Sequence, residues 1–400
     1  MFNCKIKYND TNVNIEFPCT NLTLFEKLAD LHVLDEEKSK MDIYIEEVSY
    51  EPLKCLEGKL HDPDAVNLLA KKLCSLTSDE LNKFEAVKEL NGIIDLYDMI
   101  NLTENMHYYT LVKDMSDITA VGKLHIMTRD GGISAEDINN IDFESIGKKL
   151  IESWNGRITR YGNIYTNSDL EYYEPCTRES LPPFQFYDNQ PVCVEMSYKD
   201  NANYVYLPDT RMAFERAAFR MGARDVSNCK CKVDYTEFNV KESQDLNSVE
   251  MQYDKLQSIL ENICENEGID KLNIVVNKLV QLDDTKLTYI VPVIEYAEDS
   301  SSDAVVKLID SIDSFAVFGD VSDACELGEA VINASPEYNI HIELEDYFDF
   351  EKYGEDIDME WQGKYLDGNI YVAIKDYITL EEILEDNELC EEQGMQMSGM

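Results

Sequence analysis

The chain opens with apolar residues at alternate positions, Phe2, Cys4 and Ile6, and after a polar turn at Asn9-Asp10 a second such run ends at Phe17. Period-two alternation on both sides of a short polar turn predicts a β-hairpin. A helix is expected next over residues 22–31, then a strand over 42–48 that alternates apolar and acidic residues. From residue 64 to 76 the period changes to 3.6, placing Val66, Leu69, Ala70, Leu73 and Cys74 on one helical face. Thr77-Ser-Asp-Glu80 then reads as a capping box that opens another helix.

The same order of patterns returns later in the chain. Cys193 to Tyr198 and the run ending at Leu207-Pro208 match Cys4 to Tyr8 and the run ending at Phe17-Pro18. A helix over 211–221, stopped by Gly222, a strand over 232–240 and the apolar stripe Leu256, Ile259, Leu260, Ile263 and Cys264 follow. Ser116-Asp117 with Gly122 reappears as Ser322-Asp323 with Gly328, and Asp142-Phe143-Glu144 with Gly147 as Asp349-Phe350-Glu351 with Gly354. Trp154 and Trp361 come next, then Gly156 and Gly363, and both series close on Gly-Asn-Ile-Tyr, at 162–165 and 368–371. An ordered series of this kind predicts one unit written twice. The expected architecture is α+β, an elongated tandem of two units, each made of small α/β subdomains. Copy one spans 1–167 and copy two 192–374; between them 168–191 is a linker with Pro175, Pro182, Pro183 and Pro191. Residues 375–400 form an acidic helix, opened by the capping box Thr379-Leu-Glu-Glu382, and a tail.

Composition changes the picture most through charge. The 400 residues hold 80 Asp and Glu against 35 Lys and Arg, a formal net charge of -45, on an ordinary 44% hydrophobic content. That apolar content argues for a folded chain rather than a disordered acidic one. The excess is skewed: residues 301–400 hold 26 acids and 4 bases, whereas residues 1–200 hold 36 and 20. Such a surface repels nucleic acid and anionic lipid and attracts basic grooves. No apolar run is long enough for a membrane span, and the polar N-terminus is unlike a signal peptide, so a cytoplasmic location is expected.

Catalytic signatures are missing from the sequence. There is no phosphate-binding Gly-rich loop, nucleophile elbow, HExxH or EF-hand pattern. Eleven cysteines without a Cys-x-x-Cys pair and five scattered histidines predict reduced thiols and no metal or other cofactor. Among 80 acids any carboxylate pair is explained by proximity alone. What stands out instead is the stretch 343–360, in which Glu343, Glu345, Asp346, Asp349, Glu351, Glu355, Asp356, Asp358 and Glu360 are interleaved with aromatic and aliphatic residues. Self-repulsion at this density is offset if a basic partner binds. A DNA-binding groove is the natural template: 45 charges at the linear density of a duplex would extend roughly 75 Å.

Asp346-Tyr-Phe-Asp-Phe-Glu-Lys-Tyr-Gly-Glu-Asp356 and the following Gly368-Asn-Ile-Tyr371 resemble the antirestriction motif and C-terminal end of ArdA-type antirestriction proteins. Asp79-Glu-Leu-Asn-Lys-Phe-Glu-Ala86, Ile100-Asn-Leu-Thr103 and Asp114-Met-Ser-Asp117 are similar to the central part of that family, and through both copies, most of the chain, the protein resembles its tandem members on mobile elements of Gram-positive bacteria. The resemblance implies a non-enzymatic DNA mimic that occupies the DNA groove of a type I restriction-modification enzyme, at its methyltransferase core, without binding nucleic acid itself. The carboxylates that would imitate phosphates are those of 343–360 together with Asp320, Asp323, Glu326, Asp114, Asp117, Asp142 and Glu144. Tyr347, Phe348, Phe350, Tyr353, Trp361 and Trp154 are expected to pack or to form a dimer interface, and a homodimer and an intrachain pseudo-dimer both remain open. The first copy departs from the pattern, reading Gly147-Lys-Lys-Leu where the second reads Gly354-Glu-Asp-Ile. An acidic module for another basic DNA-binding protein, such as a nucleoid protein, relaxase or other defence nuclease, is the alternative.

Overall fold

The computed structural model describes the chain except for residues 35–37, 39, 41, 135, 154–155, 168–169, 185–189, 242–248, 336–347, 376–377 and 386–400. Helices are mixed with small antiparallel sheets, an α+β fold. The described chain divides into two compact units, residues 1–189 with 196–205 and 209–230, and residues 190–195 with 206–208 and 231–400.

In the first unit, β1 (Phe2–Tyr8) and β2 (Thr11–Phe17) pair antiparallel, with Tyr8 opposite Thr11 across the Asn9-Asp10 turn. Asn9 takes the left-handed backbone that such a turn needs. β3 (Ile43–Val48) and β4 (Lys59–His61) extend the sheet in the order β2-β1-β3-β4. The alternating residues Cys4, Ile6, Ile15, Phe17, Ile43 and Ile45 are all buried, and α1 (Asn21–Asp30) covers them with Leu24, Phe25 and Leu28. α2 (Pro63–Ser75) and α3 (Ser78–Asn91) follow, and the capping box at Thr77 and Glu80 is formed. α4 (Leu96–Glu104) leads into a smaller layer: β5 (Tyr109–Val112), α5 (Ile118–Asp130), α6 (Phe143–Glu152), β6 (Arg157–Thr159) and β7 (Gly162–Thr166), with strand order β5-β7-β6.

The Pro-containing segment expected as a linker carries no helix or strand over its described residues, yet it is pinned. The Asn101 side chain donates to the Cys176 carbonyl at 2.9 Å and accepts its N–H at 2.8 Å. Asn105 accepts the Tyr173 N–H at 2.8 Å and Asn203 the Leu181 N–H at 3.1 Å. Cys176 and Leu181 join the core of this unit. Buried amides thus give the segment's backbone groups the partners that a sheet would otherwise supply.

The second hairpin, β8 (Val192–Tyr198) and β9 (Asn201–Leu207), leads to α7 (Arg211–Arg220), and β10 (Lys230–Thr236) completes a three-stranded sheet in the order β10-β8-β9. β10 stops four residues short of the expected end at 240. In the second unit α8 (Tyr253–Glu267), α9 (Ile269–Leu279), α10 (Asp284–Ala297) and α11 (Ser302–Asp310) form a helical layer. A small α/β layer follows: β11 (Phe315–Phe318), α12 (Ala324–Ala334), α13 (Phe350–Trp361), β12 (Lys364–Leu366) and β13 (Ile370–Ile374), with strand order β11-β13-β12. The capping box at Thr379 opens the short α14 (Leu380–Leu384). Of the ten described cysteines none is in a disulfide; Cys4, Cys176, Cys193 and Cys264 are buried and six are intermediate.

Candidate partner surface

α12 and α13 cross at two glycines. A Cβ on Gly328 would lie 2.2 Å from the Phe350 carbonyl oxygen, and one on Gly354 would lie 1.7 Å from that of Ala324. The helix backbones therefore touch, which no side chain larger than hydrogen allows. α5 and α6 in the first unit meet the same way, Gly122 against the Phe143 carbonyl and Gly147 against that of Ile118. Each pair rests on its sheet through a buried tyrosine. Tyr371 lies in the core with Val321, Leu327, Ala330 and Ala373, and Tyr165 in the core with Val112, Val121 and Leu150.

This close crossing brings carboxylates of both helices together. Cys325, near the start of α12, has its thiol pushed up by burial and by the surrounding Glu329, Asp323, Glu351 and Glu326. Those acids come from both helices, so the first turns of α12 and α13 share one negative field. On α13 the acids Glu351, Glu355, Asp356 and Glu360 are exposed, and none makes an ion pair among the described residues. Asp320, with left-handed backbone, is also exposed.

Other candidates have structural duties. Asp349 caps α13 by accepting the Lys352 N–H at 3.1 Å, and Asp323 caps α12 by accepting the Glu326 N–H at 3.0 Å. Carboxylates at these positions satisfy free amides and meet the positive end of the helix dipole. The Glu326 carboxylate accepts from the Ser322 N–H at 2.7 Å and its hydroxyl at 2.6 Å. Asp358 is half-buried and accepts the Tyr371 hydroxyl at 2.8 Å. In the first unit Asp117 and Asp142 cap α5 and α6, Asp114 accepts the Ser116 N–H at 2.8 Å, and Glu144 pairs with Lys148 at 2.8 Å. Glu343, Glu345, Asp346, Tyr347 and Trp154 lie outside the described residues.

The aromatic candidates separate into two groups. Trp361 stacks on Phe318 with ring centroids 6.4 Å apart and packs against the Tyr371 core. Phe348, Phe350 and Tyr353 cluster at the start of α13, with Phe348 4.8 Å from Phe350 and 5.8 Å from Tyr353, and Phe348 is exposed.

Residues 202–391 match the antirestriction protein (ArdA) family. Over that span, just under half of the chain, the protein is similar to the ArdA antirestriction family. No curated protein and no solved structure shows significant similarity to it. The ArdA-type span contains α12 and α13 with their unpaired acids, and also the helical layer α8–α11, where lysines pair with some of the acids. There Lys255 pairs with Glu295, Lys271 with Asp303 and Lys278 with Asp310, each at 2.6 Å. Lys286 pairs with Asp313 and Lys364 with Glu298, each at 2.7 Å. Exposed pairs of this kind contribute little stability.

Sequence reasoning missed one charged site entirely. Arg216 and Arg220 of α7 are buried against Asp62 and Asp64 at the start of α2. The signal was available: two arginines four apart on a helix whose neighbours are Ala213, Phe214, Ala217 and Ala218.

Proposed function

We propose that this protein is an antirestriction DNA mimic that competes with DNA for the groove of a type I restriction-modification enzyme, and that the α12–α13 layer is its principal contact surface. The observation that carries this reading is that four acids of a single helix, Glu351, Glu355, Asp356 and Glu360, face solvent without an ion pair among the described residues. Carboxylates held on helices by the Gly328 and Gly354 crossing are ordered before binding, so little side-chain and backbone freedom is lost on docking. Lys and Arg of a DNA groove would exchange phosphates for these carboxylates and release the same counterions. The aromatic cluster of Phe348, Phe350 and Tyr353 fits a packing contact beside the acids. In the tandem reading the first copy supplies a weaker version of the surface, because Lys148 and Lys149 stand on its helix.

The deciding experiment is competition. Purified protein should displace a DNA duplex from a type I methyltransferase core at low salt, with potency falling steeply as salt is raised. Failure to compete at low salt would overturn the proposal. Capture of a nucleoid protein, relaxase or other nuclease in place of restriction subunits would redirect it to that partner.

A further inference from the structure

The corner between β4 and α2 carries Asp62 and Asp64, and Asp62 caps α2 by accepting the Asp64 N–H at 2.9 Å. Two arginines from about 150 residues later in the chain fill this corner. Arg216 donates Nε to Asp64 at 2.9 Å, one Nη to Asp62 at 3.2 Å and the other to the Lys38 carbonyl at 2.8 Å. Arg220 donates Nε to Asp62 at 2.6 Å, one Nη to both Asp62 and Asp64, and the other to the Asn203 side chain at 3.2 Å. The two arginine side chains are 5% and 7% exposed and the two aspartates 12% and 21%.

The arrangement is balanced, two positive charges against two negative ones, with the guanidinium donors directed at carboxylate and carbonyl oxygens. Removing either side would leave the other desolvated and unpaired, which is far costlier than the pair itself. An arginine fork matches two carboxylates in a way that a lysine would not. The spacing of four places both forks on one face of α7. Although α7 follows the second hairpin in sequence, it is a component of the first compact unit.

We propose that Asp62 and Asp64 form a receptor for a helix bearing Arg-x-x-x-Arg, filled in this chain by α7, so that the first unit is assembled from two segments separated in sequence. The partner is therefore a named helix of the same chain, and the site is distinct from the acidic surface of α13. It follows that a backbone cut between the two segments leaves the fragments associated. Because the charges are buried, this association is insensitive to salt, unlike docking on a solvent-exposed acidic surface.

The test inserts a protease site after Asn189 in the full-length chain, cleaves it, and measures whether fragments 1–189 and 190–400 co-elute. Co-elution is expected, and it should persist in about 1 M sodium chloride, where the Debye length is about 3 Å. Asp62→Asn with Asp64→Asn in the first fragment should weaken association at least tenfold. Arg216→Met with Arg220→Met in the second fragment should do the same, and this arm stands if the first double variant does not fold. Separation of the unmodified fragments, or equally tight association of the variants, would overturn the proposal.

Discussion

On α6, Glu144 pairs with Lys148 one turn later at 2.8 Å, the two residues flanking the Gly147 crossing. On α13 the residues in the same positions about Gly354 are Glu351 and Glu355, two carboxylates that make no ion pair among the described residues. Two changes of sign, Lys148 and Lys149 against Glu355 and Asp356, thus distinguish these closely similar helix pairs. The functional consequence is testable from both sides.

Glu351→Lys, Glu355→Lys and Asp356→Lys together should weaken competition with DNA tenfold or more, about 1.4 kcal/mol. Circular dichroism should be unchanged, because all three side chains are exposed. Asp358 is better left out of the set, since it accepts the Tyr371 hydroxyl and its loss would disturb the core. Lys148→Glu with Lys149→Glu should not weaken competition. Inhibition unaffected by the α13 triple variant would remove that helix from the contact surface.

Gly354→Ala should destabilise the second unit by about 3 kcal/mol, the upper end expected for overpacking. The added methyl would meet the Ala324 carbonyl at 1.7 Å, so the helices must part. Gly132→Ala is the control: nothing lies within 4 Å of its Cβ, and a change within about 0.5 kcal/mol is expected. Urea midpoints of the two variants measure the difference.

Lys83 is buried on α3. Its neighbour Glu80 is committed to the capping box, where it accepts the Thr77 N–H at 2.8 Å. Burial pushes the Lys83 amine down to about 8, with Glu80 opposing weakly. The unfolded amine titrates near 10.4, so the cost of burying the charge is full below about pH 8 and fades between there and about 10.4. Lys83→Met should therefore raise stability at pH 7 by about 2 kcal/mol. The gain should vanish in unfolding measured near pH 10.5; an equal gain at both pH values would assign the effect to packing.

Burial alone would raise the Asp62 carboxyl, but Arg220 and Arg216 outweigh it and hold the group well below the usual carboxylate range. A depressed folded value means that the stabilisation is complete above the unfolded value of about 3.9 and is lost as pH falls through the folded one. Asp62→Asn should cost about 3 kcal/mol at pH 7. It should also flatten the fall in stability that the parent protein shows below about pH 4. A variant with the parent's full acid dependence would exclude Asp62 as a source of it.

Much of the fold was legible because its elements are locally encoded. The hairpin at Phe2–Tyr8 and Thr11–Phe17 follows from strict alternation, and the capping boxes at Thr77 and Thr379 follow from residue chemistry three positions apart. β10 ended early at Thr236 because alternation alone carries no information about where a pairing partner stops. The acids of α13 were legible as a group, but their separate duties were not. Asp349 and Asp358 read the same as Glu355 in sequence, and only contacts with the Lys352 N–H and the Tyr371 hydroxyl distinguish them.

The sequence by itself determined the net charge, its concentration toward the C-terminal quarter, the recurring order of hairpins, helices and glycines, and the resemblance to antirestriction proteins. Those properties reside in residue type and spacing, which survive without coordinates. The tertiary structure alone decided which charges are cancelled. Lys271 and Asp303, or Arg216 and Asp62, lie 32 and 154 residues apart and meet only when helices pack. It also decided why the paired glycines are needed, since Gly328 and Gly354 matter only where two helix backbones touch. Charge neutralisation and close packing act through space over a few ångströms, and chain position says little about which residues come that near.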